Sequence, residues 1–200
     1  MIRHLAIAAL LLASPALVQA AAEVDRAAPT FELKDTNGKT VKLADVVKEK
    51  TVVLEWLNYD CPFVKKHYDT KNMQKLQETY TAKGVAWFSI ISSAKGKQGS
   101  FPAKKVNELS KEKGAHPTAI LLDTEGKVGK LYDAKVTPHM FVIKKGGELA
   151  YAGGIDDKAT TDAEDVPTAT NFVAKALDET LEGKPVTKKT STPYGCAVKY

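Results

Sequence analysis

Three stretches of the chain consist almost entirely of β-branched and apolar residues, which is typical of central strands covered on both faces. The three stretches are 51–57, 85–91 and 118–122. Apolar residues at helical spacing follow two of these strands and recur near the end of the chain. The helical segments are 62–83, 102–113 and 169–181. Gly84 and Gly183 stand where the first and the last of these helices are predicted to end.

Shorter apolar segments that flank glycine-rich turns predict two β-hairpins. The first hairpin turns at Asn37-Gly38, a dipeptide that favours tight hairpin turns, and the second turns at Gly146-Gly147. Their strands are 30–33 with 40–43, and 140–143 with 149–152.

Strands and helices alternate between the two hairpins, and no repeat or low-complexity linker divides the chain. This order predicts one α/β domain with a central mixed β-sheet, helices on both faces and an N-terminal β-hairpin. The acidic segment 153–168 is predicted to be a surface loop. Residues 186–200 are predicted to form an extended C-terminal tail.

The N-terminus has the pattern of a secretory signal peptide. A basic residue, Arg3, precedes the apolar run 5–13, and small residues at Val18-Gln19-Ala20 suit a signal peptidase. We therefore expect residues 1–20 to be a cleaved signal peptide, and residues 21–200 to be a periplasmic domain without a membrane anchor. The net charge of +5 comes from lysines interleaved with acidic residues, which indicates a solvated surface and no nucleic-acid partner.

Cys61 is the residue with the clearest chemical potential. It lies between a buried strand and a helix that begins at Pro62, a residue suited to a first helical position. A thiol at a helix N-terminus faces unpaired N–H groups and the positive end of the helix dipole, and both favour the reactive thiolate. Lys65 and Lys66 are expected to lower the pKa of the thiol further, while Asp60 opposes them.

Thr137-Pro138 at the entrance of a strand is a candidate cis peptide bond. Together with the Cys-Pro helix, it stands in the order of elements of the thioredoxin fold. The segments that carry a closer likeness are 54–68, 72–74 and 193–200. With these segments the chain resembles the thioredoxin-like redoxins of the alkyl hydroperoxide reductase and thiol-specific antioxidant superfamily, and in particular their peroxiredoxin-like branch.

The resemblance extends from about residue 28 to residue 200 and implies a thioredoxin fold, a cis Pro138 beside Cys61 and a thiol redox role. Pro62, Thr137 and Pro138 are then expected to contact a docked substrate. Thioredoxins have a second cysteine where this chain has Val64, which excludes a local Cys-x-x-Cys dithiol.

Peroxiredoxins activate peroxide with a threonine three residues before the cysteine and with a distant arginine. This chain has Asn58 at the threonine position, and no arginine follows Cys61. Because peroxide cleavage needs donors placed where charge develops, the sequence favours thiol-disulfide exchange over peroxide reduction.

Two further residues have open roles. Cys196 could resolve an oxidised Cys61, form a purely structural disulfide with it, or remain unpaired. Glu55 lies where thioredoxins place a buried acid; it could accept the proton of a thiol, or it could be paired with a lysine and inert.

Three histidines, His67, His116 and His139, raise the question of a metal site. Cys61 with His139 would suit copper or zinc, but no second cysteine is nearby, so solvent-facing or capping histidines are the favoured interpretation. No metal and no other cofactor is predicted.

The sequence therefore predicts a periplasmic thiol-disulfide oxidoreductase with Cys61 as nucleophile and Cys196 as resolving residue. Its partners would be protein or small-molecule thiols and disulfides and an unidentified electron donor. A low-efficiency peroxidase acting on hydroperoxides is the enzyme alternative. The non-enzyme alternative is a periplasmic binding or metal-delivery protein with a structural disulfide.

Overall fold

The computed structural model describes residues 21–200 and has a seven-stranded sheet as its centre. The strands are β1 (Glu32–Asp35), β2 (Thr40–Lys42), β3 (Val52–Trp56), β4 (Ala86–Ile91), β5 (Ala119–Leu122), β6 (Val136–Thr137), β7 (His139–Ile143), β8 (Leu149–Gly153) and β9 (Cys196–Ala197). The helices are α1 (Leu43–Glu49), α2 (Pro62–Asp69), α3 (Asn72–Ala82), α4 (Ala103–Glu112), α5 (Lys127–Leu131) and α6 (Phe172–Leu181), with a 3₁₀ helix at Ala163–Thr168.

The main sheet has the strand order β2-β1-β5-β4-β3-β7-β8. The central strands β3, β4 and β5 are parallel, whereas β7, β8 and the N-terminal hairpin β1–β2 are antiparallel to their neighbours. This confirms the mixed sheet and both predicted hairpins. Short β6 and β9 form a separate antiparallel pair outside the main sheet.

Strand alternation divides the core into two layers, one on each face of the sheet. Val53 and Trp87 pack with residues of α2, α3, α4 and α6 on one face. Trp56 and Phe141 pack with residues of α1 and α5 on the other. Both tryptophans are fully buried. Helices thus cover both faces, as the sequence predicts for a thioredoxin fold.

The predicted helix over 62–83 is in fact two helices. Lys71 adopts a left-handed conformation with φ 63°, which separates α2 from α3 at Asn72. Apolar spacing continues through this break because both helices bury residues on the same face of the sheet. Helices α1 and α5 were missed because five to seven residues give too short a pattern to recognise.

The predicted surface loop 153–168 is only partly exposed. Ile155 and Asp156 are buried, and the N–H groups of Phe172 and Val173 at the start of α6 donate to the Ile155 carbonyl. No helix within residues 21–200 is long and apolar enough to cross a membrane. The expected signal peptide, residues 1–20, lies outside the described residues.

Candidate active site

Cys61 is positioned by the turn that joins β3 to α2. The side-chain oxygen of Asn58 accepts a hydrogen bond from the Asp60 N–H at 2.9 Å, and the Cys61 N–H donates to the Asn58 carbonyl at 3.0 Å. An asparagine turn of this kind ends the strand sharply. Cys61 is the cap residue of α2, and Pro62 occupies the first helical position. The thiol therefore lies at the helix N-terminus, as the sequence predicts, and Cys61 is 0% exposed.

The peptide bond between Thr137 and Pro138 is cis, as predicted. The carbonyl of Thr137 accepts a hydrogen bond from the Cys61 thiol at 3.1 Å. Thr137 is buried, whereas Pro62 at the start of α2 is exposed. Three of the predicted site residues, Cys61, Thr137 and Pro138, thus meet at one point although 76 positions separate Cys61 from Thr137.

Cys196 reaches the same point from the end of the chain. Strand β9 pairs with β6 so that Cys196 lies opposite Thr137 and Ala197 lies opposite Val136. Both cysteines are free, and each thiol lies close enough to the other to shift its pKa. The structure therefore places the two cysteines of the chain near each other.

The pKa values of the two thiols are shifted in opposite directions. Burial acts to raise the pKa of Cys61, but hydrogen bonds from the Cys196 thiol, the Thr137 side chain and two backbone N–H groups outweigh it, so this pKa is lowered. Burial, the hydrogen bond with Cys61 and its charge raise the pKa of Cys196 to about 11. The site therefore favours a Cys61 thiolate that a protonated Cys196 stabilises.

The lysines of α2 are not among the largest causes of the lowered Cys61 pKa. Lys66 is buried, and its ammonium group donates to the Lys158 carbonyl at 2.8 Å. Burial lowers the pKa of this lysine, against the attraction of Asp156. Lys65 is exposed. Hydrogen bonds to the sulfur lower the pKa of Cys61, and one of them comes from the Val64 N–H in the first turn of α2, as expected for a thiol at a helix N-terminus.

Glu55 lies on the face of the sheet that also carries Cys61, and it is completely buried. Its carboxyl accepts four hydrogen bonds, from Trp87 Nε1 and Ser89 Oγ at 2.8 Å each, from the Tyr68 hydroxyl at 3.0 Å and from Gln77 Nε2 at 3.2 Å. Burial raises its pKa despite these donors. The suggested pairing with a lysine is therefore wrong, because none of its four partners is charged.

Two of the three histidines are buried, which corrects the expectation that they face solvent. His139 packs against the Phe141 ring with centroids 4.5 Å apart, on the face of the sheet opposite the Cys61 layer. Burial lowers its pKa to about 4. His139 and Cys61 are thus on different faces and do not form a ligand pair. Within residues 21–200, no three potential metal ligands lie together.

His67 belongs to a buried polar cluster that the sequence did not reveal. Its Nε2 is 3.2 Å from the Tyr194 hydroxyl, and its Nδ1 is 2.8 Å from the Asn72 amide. The Tyr194 hydroxyl also donates to the buried Asp156 carboxylate. Burial and the charge of Lys66 lower the pKa of His67 to about 3. These contacts fix Tyr194, two residues before Cys196, against helix α2.

Tyr200 fixes the tail on the other side of Cys196. Its hydroxyl donates to the Ala134 carbonyl at 2.7 Å, and its ring covers Gly126 and Gly129, where any side chain would meet it. Tyr194 and Tyr200 were not predicted as site residues. Proximity in sequence to Cys196 was the only available signal, because their partners come from distant segments.

The two groups that activate peroxide in peroxiredoxins have no equivalent in the described residues. Asn58 is buried, its side-chain oxygen is engaged by the Asp60 N–H, and its amide packs against Gly99. No arginine follows Cys61 in the sequence. The structure therefore shows a thiol site without a peroxide-activating pair.

A family model for the AhpC/TSA family matches residues 24–152. A comparison with curated proteins finds no match. Among solved structures, the chain is similar to an uncharacterized conserved protein from Geobacillus kaustophilus, with 28% identity, a TM-score of 0.74, and coverage of 89% of this chain and 92% of that one. It is similar to a hypothetical protein from Sinorhizobium meliloti 1021, with 23% identity, a TM-score of 0.74, and coverage of 90% and 96%. It also shares its fold with the peroxidoxin BcpB from Mycobacterium tuberculosis, with 18% identity, a TM-score of 0.55, and coverage of 80% and 96%.

The chain belongs to the AhpC/TSA family and has the thioredoxin fold. Membership of this family makes it an oxidoreductase, which argues against the non-enzyme alternative. The matched residues include Cys61, Thr137 and Pro138, but the tail with Cys196 lies beyond them. The second thiol is thus contributed by a segment that the family model does not cover.

Proposed function

We propose that the protein is an exported thiol-disulfide oxidoreductase in which Cys61 is the nucleophile and Cys196 the resolving residue. The observation that carries this proposal is the adjacency of the two free thiols at the N-terminus of α2, beside the carbonyl that precedes a cis proline. Cys61 has the lowered pKa that an attacking thiol needs, and Cys196 stays protonated until it acts.

The reaction has two steps. In the first, the Cys61 thiolate attacks a substrate disulfide R–S–S–R′, a bond forms between Sγ and one sulfur, and R′–S⁻ leaves with the electron pair and takes a proton. In the second, Cys196 loses its proton and attacks Sγ of Cys61, which releases R–S⁻ and forms the 61–196 disulfide. The substrate disulfide is thereby reduced by two electrons and the protein is oxidised by two. A thiol electron donor then restores the reduced pair by the reverse exchange.

Four other residues have roles in this proposal. Thr137 and Pro138 form the wall of the site beside the sulfur, and Pro62 lies at its exposed side. Glu55, buried beneath the same face with a raised pKa, is proposed to take up the proton that Cys196 loses.

The test uses purified protein, with thiols counted and the mass measured before and after a small disulfide is added. We expect wild-type protein to lose both thiols without gaining an adduct. Cys196→Ser should stop as a mixed disulfide on Cys61, and Cys61→Ser should not react. The 61–196 couple should have a reduction potential above about −300 mV, since structural disulfides lie below this value. An adduct on Cys196 in the wild type would contradict the assignment of roles.

Export is tested separately. The Val18-Gln19-Ala20 site predicts that the mature chain begins at Ala21 or within a few residues of it. Intact-mass measurement of protein from the periplasmic fraction gives the N-terminus directly. A chain that still begins at Met1 would be evidence against export.

A weak peroxidase activity is the second candidate function. The completely buried Cys61 sulfur suits an oxidant as small as a hydroperoxide, and the peroxidoxin from Mycobacterium tuberculosis has the same fold. The absence of one activating donor commonly lowers such rates by about 10²–10³. We therefore expect hydrogen peroxide to oxidise Cys61 more slowly than a small disulfide does, in stopped-flow measurements on reduced protein. A peroxide rate in the upper part of the usual range for enzymes, about 10⁷ M⁻¹s⁻¹, would reverse the order of the two functions.

A further inference from the structure

The backbone next to Cys61 is already occupied by the protein's own tail. Strand β6 ends at Thr137, the residue before the cis proline, and β9 pairs with it residue for residue. The pairing continues where the Val198 N–H donates to the Lys135 carbonyl at 3.0 Å. An extended polypeptide that approaches Cys61 would need this same edge, because strand addition uses backbone groups that have no other partner.

The fit of the tail on this edge depends on Gly195. Its φ is 144°, a conformation that favours glycine, and a Cβ added at this position would lie 2.0 Å from the Thr137 carbonyl oxygen. No side chain can be accommodated at that distance. The sequence Tyr194-Gly195-Cys196 is therefore built for close contact with β6 as well as for the position of the thiol.

Anchors on both sides of Cys196 keep the tail in this place. Tyr194 bonds to Asp156 and to His67 before the strand, and Tyr200 bonds to the Ala134 carbonyl after it. The Ala94 N–H also donates to the Lys199 carbonyl at 2.7 Å. Cys196 lies against the buried layer that contains Cys61, so a small molecule is expected to need only a local displacement of residues 195–197. Freeing the edge of β6 for a second strand would require the whole segment between the tyrosines to leave.

We propose that strand β9, through Gly195, is a specificity determinant that excludes extended polypeptides from Cys61 and restricts it to low-molecular-weight disulfides. This inference rests on the proposed function and adds the substrate class to it. The tail would thus occupy the edge of β6 at which a polypeptide substrate would dock, and it would supply the resolving thiol from that same position. Cys61 is 0% exposed in this state, so even a small disulfide requires a brief local opening.

The experiment compares two substrates that differ only in size. One is N-acetylcysteine amide in a disulfide with 5-thio-2-nitrobenzoate; the other is a ten-residue peptide with a central cysteine in the same disulfide. Both release the same coloured thiolate when Cys61 attacks the cysteine sulfur. The measurements use the Cys196→Ser protein, so that the reaction ends at the mixed disulfide and only the first step is observed.

We expect this protein to react with the small substrate at least about tenfold faster than with the peptide. A tenfold difference in rate is what the loss of one or two backbone hydrogen bonds would give. Adding Gly195→Ala should raise the peptide rate by about the same factor and change the small-substrate rate much less. Gly183→Ala is the matched control. It also has a positive φ, 70°, but open space around its position, and should leave the ratio of the two rates unchanged.

Tyr200→Ala is a second variant that does not strain the backbone at the site. It removes one anchor of the tail and should therefore shift the ratio of the two rates in the same direction. The residue is 40% exposed, so its loss leaves the core intact. Equal rates with both substrates before the tail is altered, or a ratio that neither variant changes, would overturn the inference. Release of the coloured thiolate from neither substrate in any of these proteins would instead overturn the proposed function.

Discussion

The two cysteines of this protein are held by very different parts of the structure. Cys61 follows a five-residue strand at the centre of the sheet, caps an eight-residue helix and is completely buried. Cys196 lies in a two-residue strand on a tail that is half-buried, and the side chains of Tyr194 and Tyr200 hold this tail in place. One thiol depends on the packed core, and the other depends on a few polar contacts.

This difference fits the different tasks of the two residues. A nucleophile benefits from a fixed position and a fixed set of donors, which the core supplies. A resolving thiol must approach its partner after the first step, so it is better placed on a segment that opens at low cost in free energy. The nucleophile is thus held by a rigid core and the resolving thiol by a strand that can open, and this contrast can be tested in several ways.

The largest effect is expected on acidification, because each region contains one buried histidine. His139 lies in the core and His67 in the Tyr194 cluster, and their pKa values are lowered to about 4 and about 3. Each contributes stability that is present above its unfolded pKa near 6.5 and is lost as pH falls through its folded pKa. At pH 4 the loss would be at most about 3 kcal/mol for each histidine.

Urea unfolding between pH 7 and pH 4 measures this loss. His67→Gln and His139→Gln should each reduce the pH dependence of the unfolding free energy. A wild-type stability that is unchanged down to pH 4 would show that the buried histidines carry no such penalty.

The next effect concerns the two thiols directly. The pKa of Cys61 lies below the usual thiol range and that of Cys196 is about 11, so their midpoints should differ by at least two pH units, which is about a hundredfold in proton affinity. Thiolate absorbance against pH measures both without any need for access to the sulfur. In Cys61→Ala the remaining midpoint should fall, because the hydrogen bond and the charge of Cys61 are gone, but burial should keep it above the usual range. Two overlapping midpoints in the wild type would contradict the division of roles.

The same contrast explains how much of the molecule could be predicted from its sequence. The position of Cys61 follows from local signals, namely a buried strand and Pro62 at a helix start. The cis Pro138 and the mixed sheet were predicted as well. The surroundings of Cys196 could not be predicted, because Asp156 and His67 bond to Tyr194 across the fold and no pattern in the chain marks them as partners.

Burial of polar groups was equally hard to predict. Strand alternation placed Glu55 on the correct face, but only the structure shows that four donors surround it. Lys66 and His67 stand in a helix next to exposed positions, yet the loop at 156–158 and the tail cover them. Such coverage depends on segments that are remote in sequence, whereas the spacing of apolar residues in a helix predicts only which face of that helix is buried.

The two tyrosine anchors should differ in strength. Tyr194→Phe removes a hydrogen bond to a buried carboxylate and should lower the unfolding free energy by about 2 kcal/mol, within the range for bonds to charged groups. Tyr200→Phe removes a bond to a neutral carbonyl and should cost about 1 kcal/mol or less. Amide hydrogen exchange at Thr137 and Cys196 should become faster in both variants and more so in Tyr194→Phe. Equal exchange in the two would mean that the anchors contribute alike.

Glu55→Gln is expected to have the smallest effect and is the most specific test of the proposed proton transfer. The carboxyl receives its four hydrogen bonds from Trp87, Ser89, Tyr68 and Gln77 and from neither cysteine, so it would act on Cys196 from a distance. We therefore expect the second step to slow by only about threefold near neutral pH, or about 0.6 kcal/mol in activation free energy.

The pH dependence separates this role from a structural one. Burial raises the pKa of Glu55, so the rate of disulfide closure should rise with pH as the carboxyl ionises, and Glu55→Gln should lose this rise. The stability effect has a definite sign: a raised folded pKa contributes stability below the unfolded pKa, and this contribution is lost as pH rises through the folded pKa. Relative to wild type, Glu55→Gln should then be more stable at pH 8 than at pH 4. If closure keeps its pH profile while the stability difference follows this sign, Glu55 is a buried structural acid and Cys196 loses its proton by another route.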